Sequence, residues 1–104
     1  MPLEAETTVG DITFMADLSS YDAWRKSYEE ATGKLLDDNA ANREIYYNKL
    51  RTNLSEAMRA AGQFDEDFFN FIAYGPINIL TEYQKIFYDD NKLITSGAAG
   101  SAVA

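Results

Sequence analysis

The sequence predicts an all-α fold: a small three-helix bundle whose third helix is kinked or split at Gly75-Pro76, with extended N- and C-terminal arms. Two observations support this prediction. Apolar residues recur at steps of three and four through the middle of the chain, and residues typical of helix starts and ends separate these periodic segments. We therefore expect an acidic extended arm over residues 1–18, a helical domain over residues 19–90 and a flexible small-residue tail over residues 91–104.

The composition is that of one globular domain, and it limits the available chemistry. The chain has 104 residues, 46% of them hydrophobic and 25% charged, which is enough for one modest core. It contains no cysteine and no histidine, the residues that zinc, iron–sulfur and haem sites and the common nucleophile–base pairs require. We expect no cofactor, no small-molecule substrate and no enzymatic activity. A carboxylate-only Mg²⁺ or Ca²⁺ site and an enzyme built on carboxylates or a Ser-Lys pair are the chemistries left open.

The net charge narrows the choice of partner. A formal charge of −8 and a pI near 4.3 argue against nucleic acids and anionic membranes, because both recruit basic surfaces. The chain lacks an apolar run of the length that crosses a membrane, and its first residues lack the basic start and apolar block of a signal peptide. We expect a protein that works in the cytoplasm or within a virion and is not secreted through a signal peptide.

The N-terminal arm is acidic and contains short strand-like stretches. Residues 1–18 include four acidic residues and no basic one, and β-branched residues flank Gly10-Asp11. An isolated two-stranded hairpin is only marginally stable in water, so the arm is interpreted as extended chain. It either docks Ile12, Phe14 and Met15 on the helices or lies on a neighbouring chain. A short helix that begins near Asp11 is the weaker alternative.

The first helix is expected to begin at Ser19 or Ser20, because a capping serine is followed there by the acidic Asp22. Gly33 either ends this helix or lies within it at a cost of about 1 kcal/mol. Its apolar residues fall on one side of a helix. They are Tyr21, Trp24, Tyr28, Ala31 and Leu35.

The second helix is predicted over residues 40–61, with Asn39 or Asn42 as its cap and Gly62 at its end. Its apolar stripe comprises Tyr47, Leu50, Leu54, Ala57, Met58 and Ala61. It is also the one predicted helix rich in basic residues. We interpret those residues as complementary to the acidic third helix of this chain or of a neighbour, in preference to a nucleic-acid contact.

The third helix is predicted to start after Asp65, the residue that would cap it, with Phe64 and Phe69 placed as a hydrophobic staple. Pro76 removes a backbone donor, so the helix kinks there or stops near Tyr74 and restarts. The apolar face continues to Phe87, and Asp89-Asp90-Asn91 ends the regular structure. This acidic end lacks the pattern of a calcium loop. Lys85, a conceivable catalytic amine, is interpreted as the partner of a nearby acid.

Aromatic residues are concentrated in this third segment. Residues 64–88 hold eight of the fourteen aromatic residues of the chain. Phe68, Ile72, Ile79, Tyr83 and Ile86 are expected to form a core face. The first half of the segment carries more aromatic area than one small bundle can bury, which is typical of a partner surface. The predicted partner-binding residues are Phe64, Phe68, Phe69, Phe71 and Tyr74, together with Phe14 and Ile12 of the arm.

These observations predict a non-enzymatic structural or assembly subunit that acts through protein–protein contacts in a homo- or hetero-oligomer. Small cores with arms that become ordered on neighbours are typical of fibres, shells and virion connectors, so a phage or viral particle is a setting suggested by analogy. The alternative is an acidic inhibitor or adaptor that binds a single enzyme or nucleic-acid-binding protein. Such a mimic should carry its acids in regular rows on an exposed face, whereas the sequence places them mainly at predicted helix ends.

Overall fold

The fold is α+β, so the all-α prediction is wrong. The computed structural model describes residues 3–89, and the predicted tail over residues 91–104 lies outside them. Two antiparallel strands are followed by four α-helices and a short π-helical turn. The bounds are β1 (Glu4–Val9), β2 (Ile12–Asp17), α1 (Tyr21–Thr32), α2 (Ala40–Ala60), α3 (Glu66–Tyr74), α4 (Ile77–Gln84) and the π-helical turn (Lys85–Asp89). The chain forms two compact units whose border lies within α2, between Lys49 and Leu50.

In the first unit, the N-terminal segment is a regular β-hairpin. Gly10 opens its two-residue turn at φ +61°, the left-handed value with which primed hairpin turns begin. Pairing then runs from Val9 opposite Ile12 to Glu4 opposite Asp17. Beyond the strands, the N–H of Leu18 donates to the carbonyl oxygen of Leu3 at 2.8 Å, which extends the ladder by one pair.

The hairpin is stable because one of its faces is buried. Phe14 is 5% exposed, and its ring lies 5.5 Å from that of Tyr28 and 6.3 Å from that of Trp24, both on α1. Thr7, directly opposite Phe14, and Ala16 are buried on the same face. An isolated hairpin lacks such a packing partner, and α1 supplies it. This long-range contact is why the arm folds into strands where an extended arm was expected.

Local signals set the ends of α1. Ser20 is the cap, and its Oγ accepts a hydrogen bond from the N–H of Ala23 at 3.0 Å. Gly33 ends the helix at φ +74°, donating to the carbonyl oxygen of Glu29. Because the helix stops there, Leu35 leaves the predicted apolar face and is 85% exposed, while Leu36 is buried.

Side chains of α1 hold the connection to α2. The Glu29 carboxylate accepts a hydrogen bond from the N–H of Leu36 at 3.0 Å, and Arg25 donates through Nε to the carbonyl oxygen of the same residue at 3.1 Å. Asn39 then caps α2, because its Oδ1 accepts from the N–H of Asn42 at 2.8 Å. Hydrogen bonds at both ends therefore fix the conformation of the segment that connects α1 to α2.

In the second unit, α2 ends in a Schellman turn. The N–H of Gly62, at φ +70°, donates to the carbonyl oxygen of Arg59, and the N–H of Gln63 donates to that of Met58. The buried side chains of this half of the helix recur at helical spacing. They include Leu50, Leu54, Ala57 and Met58.

The chain then forms two short helices separated at Gly75-Pro76. Asp65 caps α3 by accepting a hydrogen bond from the N–H of Phe68 at 2.9 Å. At the other end, a Cβ on Gly75 would lie 2.7 Å from the carbonyl oxygen of Phe71, so this turn needs glycine. Pro76 precedes α4, as suits a residue without a backbone donor. The sequence left open whether the third helix kinks at Pro76 or stops near Tyr74 and restarts, and the structure shows that it stops and restarts.

The core of the second unit includes two polar side chains that the periodicity did not indicate, those of Asn53 and Gln84. Ile72, Leu80 and Phe87 are buried, and so is Gln84, which is 2% exposed. The Gln84 amide donates to the carbonyl oxygen of Leu50, the first residue of this unit. None of the helices within residues 3–89 combines the length and hydropathy that a membrane crossing requires.

Candidate protein-contact surfaces

Four large apolar side chains of the second unit remain exposed close together in sequence. Phe68, Phe71 and Tyr74 of α3 are 41%, 65% and 66% exposed, and Ile77 at the start of α4 is 40% exposed. We call these four residues the aromatic surface. Residues three apart are neighbours on a helix, so the three aromatic residues form one continuous strip along α3. Ile72 and Ala73, which fall at other positions around the helix, are buried.

Neighbouring side chains hold two of the three aromatic rings of the strip, those of Phe68 and Tyr74, in place. The Phe68 ring meets Tyr83 edge to face at 5.5 Å, and the Tyr74 ring meets Phe69 in the same way at 6.5 Å. The guanidinium of Arg51 lies 4.8 Å from the centre of the Tyr74 ring. Aromatic groups that are already fixed lose little conformational entropy when they bind, which suits them to anchor a contact.

A shallow hollow of about 320 Å³ adjoins Tyr74 and Phe69. Two arginines of α2 line it. The Arg59 guanidinium lies 3.7 Å from the centre of the Phe64 ring and the Arg51 Nε donates to the carbonyl oxygen of Ala73 at 2.9 Å. Two guanidinium groups therefore line this hollow beside the aromatic surface, although the chain as a whole is acidic.

The predicted partner-binding residues fall into three groups. Phe68, Phe71 and Tyr74 lie on the aromatic surface. Phe64 and Phe69 are half-buried, with their rings 5.6 Å apart, in the arrangement expected of a staple. In the first unit, Phe14 is buried against α1, so it is not available at the surface, whereas Ile12, beside the hairpin turn, is 40% exposed.

Sequence reasoning placed Phe68 both in a core face and among the partner-binding residues, and it overlooked Ile77. Phe68 is 41% exposed because Ile72 and Ala73, and not Phe68, form the buried side of the short α3. Ile77 immediately follows Pro76, and its exposure depends on how the break orients α4. The proline was the available signal, but it does not specify the direction of the second helix.

The first unit carries a second candidate surface that the sequence did not indicate. The outward face of the hairpin presents Glu4, Glu6 and Asp17 on alternate positions, as the pairing register requires. A groove of about 680 Å³ lies beside this face, between β2 and α1. Its lining consists of Glu4, Met15, Asp17, Ala23, Lys26, Ser27, Glu30 and Ala31.

The charged residues that cluster around Tyr21 have a structural role. Arg43 donates from Nε and Nη2 to the Asp38 carboxylate at 2.9 and 3.0 Å, and these hydrogen bonds lower the pKa of Asp38. Burial, and then the Asp38 charge, raise the pKa of Tyr21. The guanidinium groups of Arg43 and Arg25 lie 5.5 and 5.6 Å from the Tyr21 ring centre. The cluster joins α1 to the start of α2.

Within the described part of the chain, neither surface has the arrangement of a metal centre. Among residues 3–89, no three acidic side chains are grouped so that they could hold a metal ion. Comparison of the chain with known protein families, with curated proteins and with solved structures found no match. The two surfaces are therefore interpreted from their own chemistry.

Proposed function

We propose that the protein is a non-enzymatic structural or assembly subunit that binds other protein subunits through the aromatic surface. The observation that carries this proposal is the exposure of Phe71 and Tyr74, at 65% and 66%, beside two further apolar side chains. Large aromatic side chains held at a surface are typical anchors of protein interfaces. A phage or viral particle remains a setting proposed by analogy alone.

The chemistry at the edge of the surface supports a protein partner. Arg51 adjoins the Tyr74 ring of this surface, and Arg59 lies against the half-buried Phe64 ring. Arginine is enriched with aromatic residues where proteins meet. The partner can be another copy of the chain, whose acidic residues complement these arginines, or a different subunit with a similar acidic edge.

Sedimentation velocity of the purified protein, from low to high micromolar concentration, tests the proposal. We expect the mass to rise with concentration for the unaltered chain and the Phe71→Ser, Tyr74→Ser double variant to stay monomeric. Leu35→Ser is the control, because Leu35 is 85% exposed but lies in the first unit. A chain that stays monomeric throughout, or assembly that survives the double substitution, would contradict self-assembly through this surface.

The second candidate function, an acidic adaptor, is favoured by one observation. The outward face of the hairpin carries carboxylates in a row at Glu4 and Glu6, with Asp17 opposite Glu4. A regular row on an exposed face is the arrangement that such an adaptor needs. The test is whether substituting Glu4 and Glu6 with glutamine abolishes binding to basic proteins while concentration-dependent assembly is retained.

A further inference from the structure

We propose that the groove between β2 and α1 binds an extended, basic segment of a partner protein, which lies along the edge of β2 that faces away from β1. The groove belongs to the first unit, so this inference does not depend on the aromatic surface. It rests on the backbone groups of the strand edge, the shape of the groove and its charge.

The pairing register shows which backbone groups of β2 point into the groove. Leu3 and Leu18 form a hydrogen-bonded pair, and such pairs alternate along an antiparallel ladder. The N–H and C=O groups of Thr13, Met15 and Asp17 therefore point away from β1. The N–H of Asp17 donates to the Oγ of Ser27 at 3.0 Å, which ties β2 to α1 at that end of the strand.

Towards the hairpin turn, the edge offers a place for another strand. Within residues 3–89, the N–H and C=O of Met15 have no backbone partner. An extended peptide can supply both partners by adding to the edge, as in other proteins that bind peptides by strand addition. The opposite side of the groove is α1, so the added strand would lie between a strand and a helix.

The side chains in the groove define what the peptide must carry. Met15 is 62% exposed and, with Ala23 and Ala31 of α1, gives the groove an apolar base. Three carboxylates, those of Glu4, Asp17 and Glu30, surround this base, and Lys26 is the one basic residue in the lining. The groove thus has an excess of negative charge around a small apolar centre.

A basic segment fits this arrangement better than a metal ion or a second hairpin. The three carboxylates lie in separate positions of the lining and are not among groups that could hold a metal. Basic side chains that alternate along an extended peptide, about 6–7 Å apart, can reach them singly. A second copy of the hairpin would bring four acids and no base, and like charges on neighbouring strands are destabilising.

Fluorescence anisotropy with a labelled synthetic peptide, TVKVRVKVT, tests the inference. We expect this peptide to bind and the acidic counterpart, TVEVEVEVT, not to bind. Binding should weaken by about tenfold or more in Glu30→Lys, since one attraction becomes a repulsion. Glu56→Lys makes the same charge change on an exposed residue of the second unit and should leave affinity unchanged.

Strand addition is tested separately from charge. Methylating alternate backbone nitrogens of the peptide on its β2-facing edge removes the donors but keeps the basic side chains, so binding should be lost. Equal binding of the methylated peptide, or of the acidic peptide, would overturn the proposal. So would an equal loss of affinity in Glu30→Lys and Glu56→Lys, because binding would then depend only on net charge. Dimerisation through the groove, detected as a Glu30→Lys-sensitive increase in mass without peptide, would also overturn it.

Discussion

Replacing Phe14 with alanine should destabilise the first unit more than any other single change in the hairpin. Phe14 is 5% exposed and packs on Trp24 and Tyr28, so truncation removes its buried area and both ring contacts and leaves a cavity. Substitutions of this kind cost about 3–5 kcal/mol. A domain of this length is stabilised by about 5–15 kcal/mol in total. The melting temperature should therefore fall by roughly 15–25 °C.

Urea denaturation monitored by the fluorescence of Trp24 measures this loss, since Trp24 is the one tryptophan and lies against Phe14. Met15→Ala is the matched control, because Met15 is the next residue of β2 but is 62% exposed. It should change the free energy of unfolding by less than about 0.5 kcal/mol. If Phe14→Ala were no more destabilising than Met15→Ala, packing on α1 would not be what stabilises the hairpin.

Three further changes test other parts of the structure. Gly75→Ala should lower the free energy of unfolding, measured by thermal denaturation, by about 1–3 kcal/mol. The reason is that its Cβ would lie 2.7 Å from the Phe71 carbonyl oxygen, so unchanged stability would contradict this geometry. Asp65→Ala removes the cap of α3 and should lower the free energy of unfolding by about 1 kcal/mol. Asp65→Asn keeps a capping side chain and should retain most of that stability. Burial raises the pKa of Tyr46 above its ordinary value of 10.0, so the unfolded chain loses this proton first. Stability should therefore fall as the pH rises above about 10, and less steeply in Tyr46→Phe.

The helix ends could be predicted from the sequence because their causes are local. The capping positions of Ser20 and Asp65 and the ends at Gly33 and Gly62 each depend on residues within one turn. The hairpin could not be predicted in the same way. Its strand-like residues were visible, but its stability comes from the contact of Phe14 with residues ten or more positions away.

The candidate surfaces were predictable to different degrees. The excess of aromatic residues before Pro76 indicated a surface, and Phe68, Phe71 and Tyr74 lie on it. Which aromatic residues would be exposed depended on the length of α3 and on the break after it, and neither is set by composition. The groove beside β2 could not be found without the hairpin, since its acidic lining comes from alternate strand positions and from α1.

The central claim is that Phe71 and its neighbours on the aromatic surface are covered by another protein chain in the assembled state. Hydroxyl-radical footprinting, read by mass spectrometry at low and high protein concentration, measures that coverage directly. Oxidation of Phe71 and Tyr74 should fall as the protein assembles, while oxidation of Leu35, which is 85% exposed in the other unit, stays constant. Assembly with undiminished oxidation of Phe71 and Tyr74 would contradict the claim.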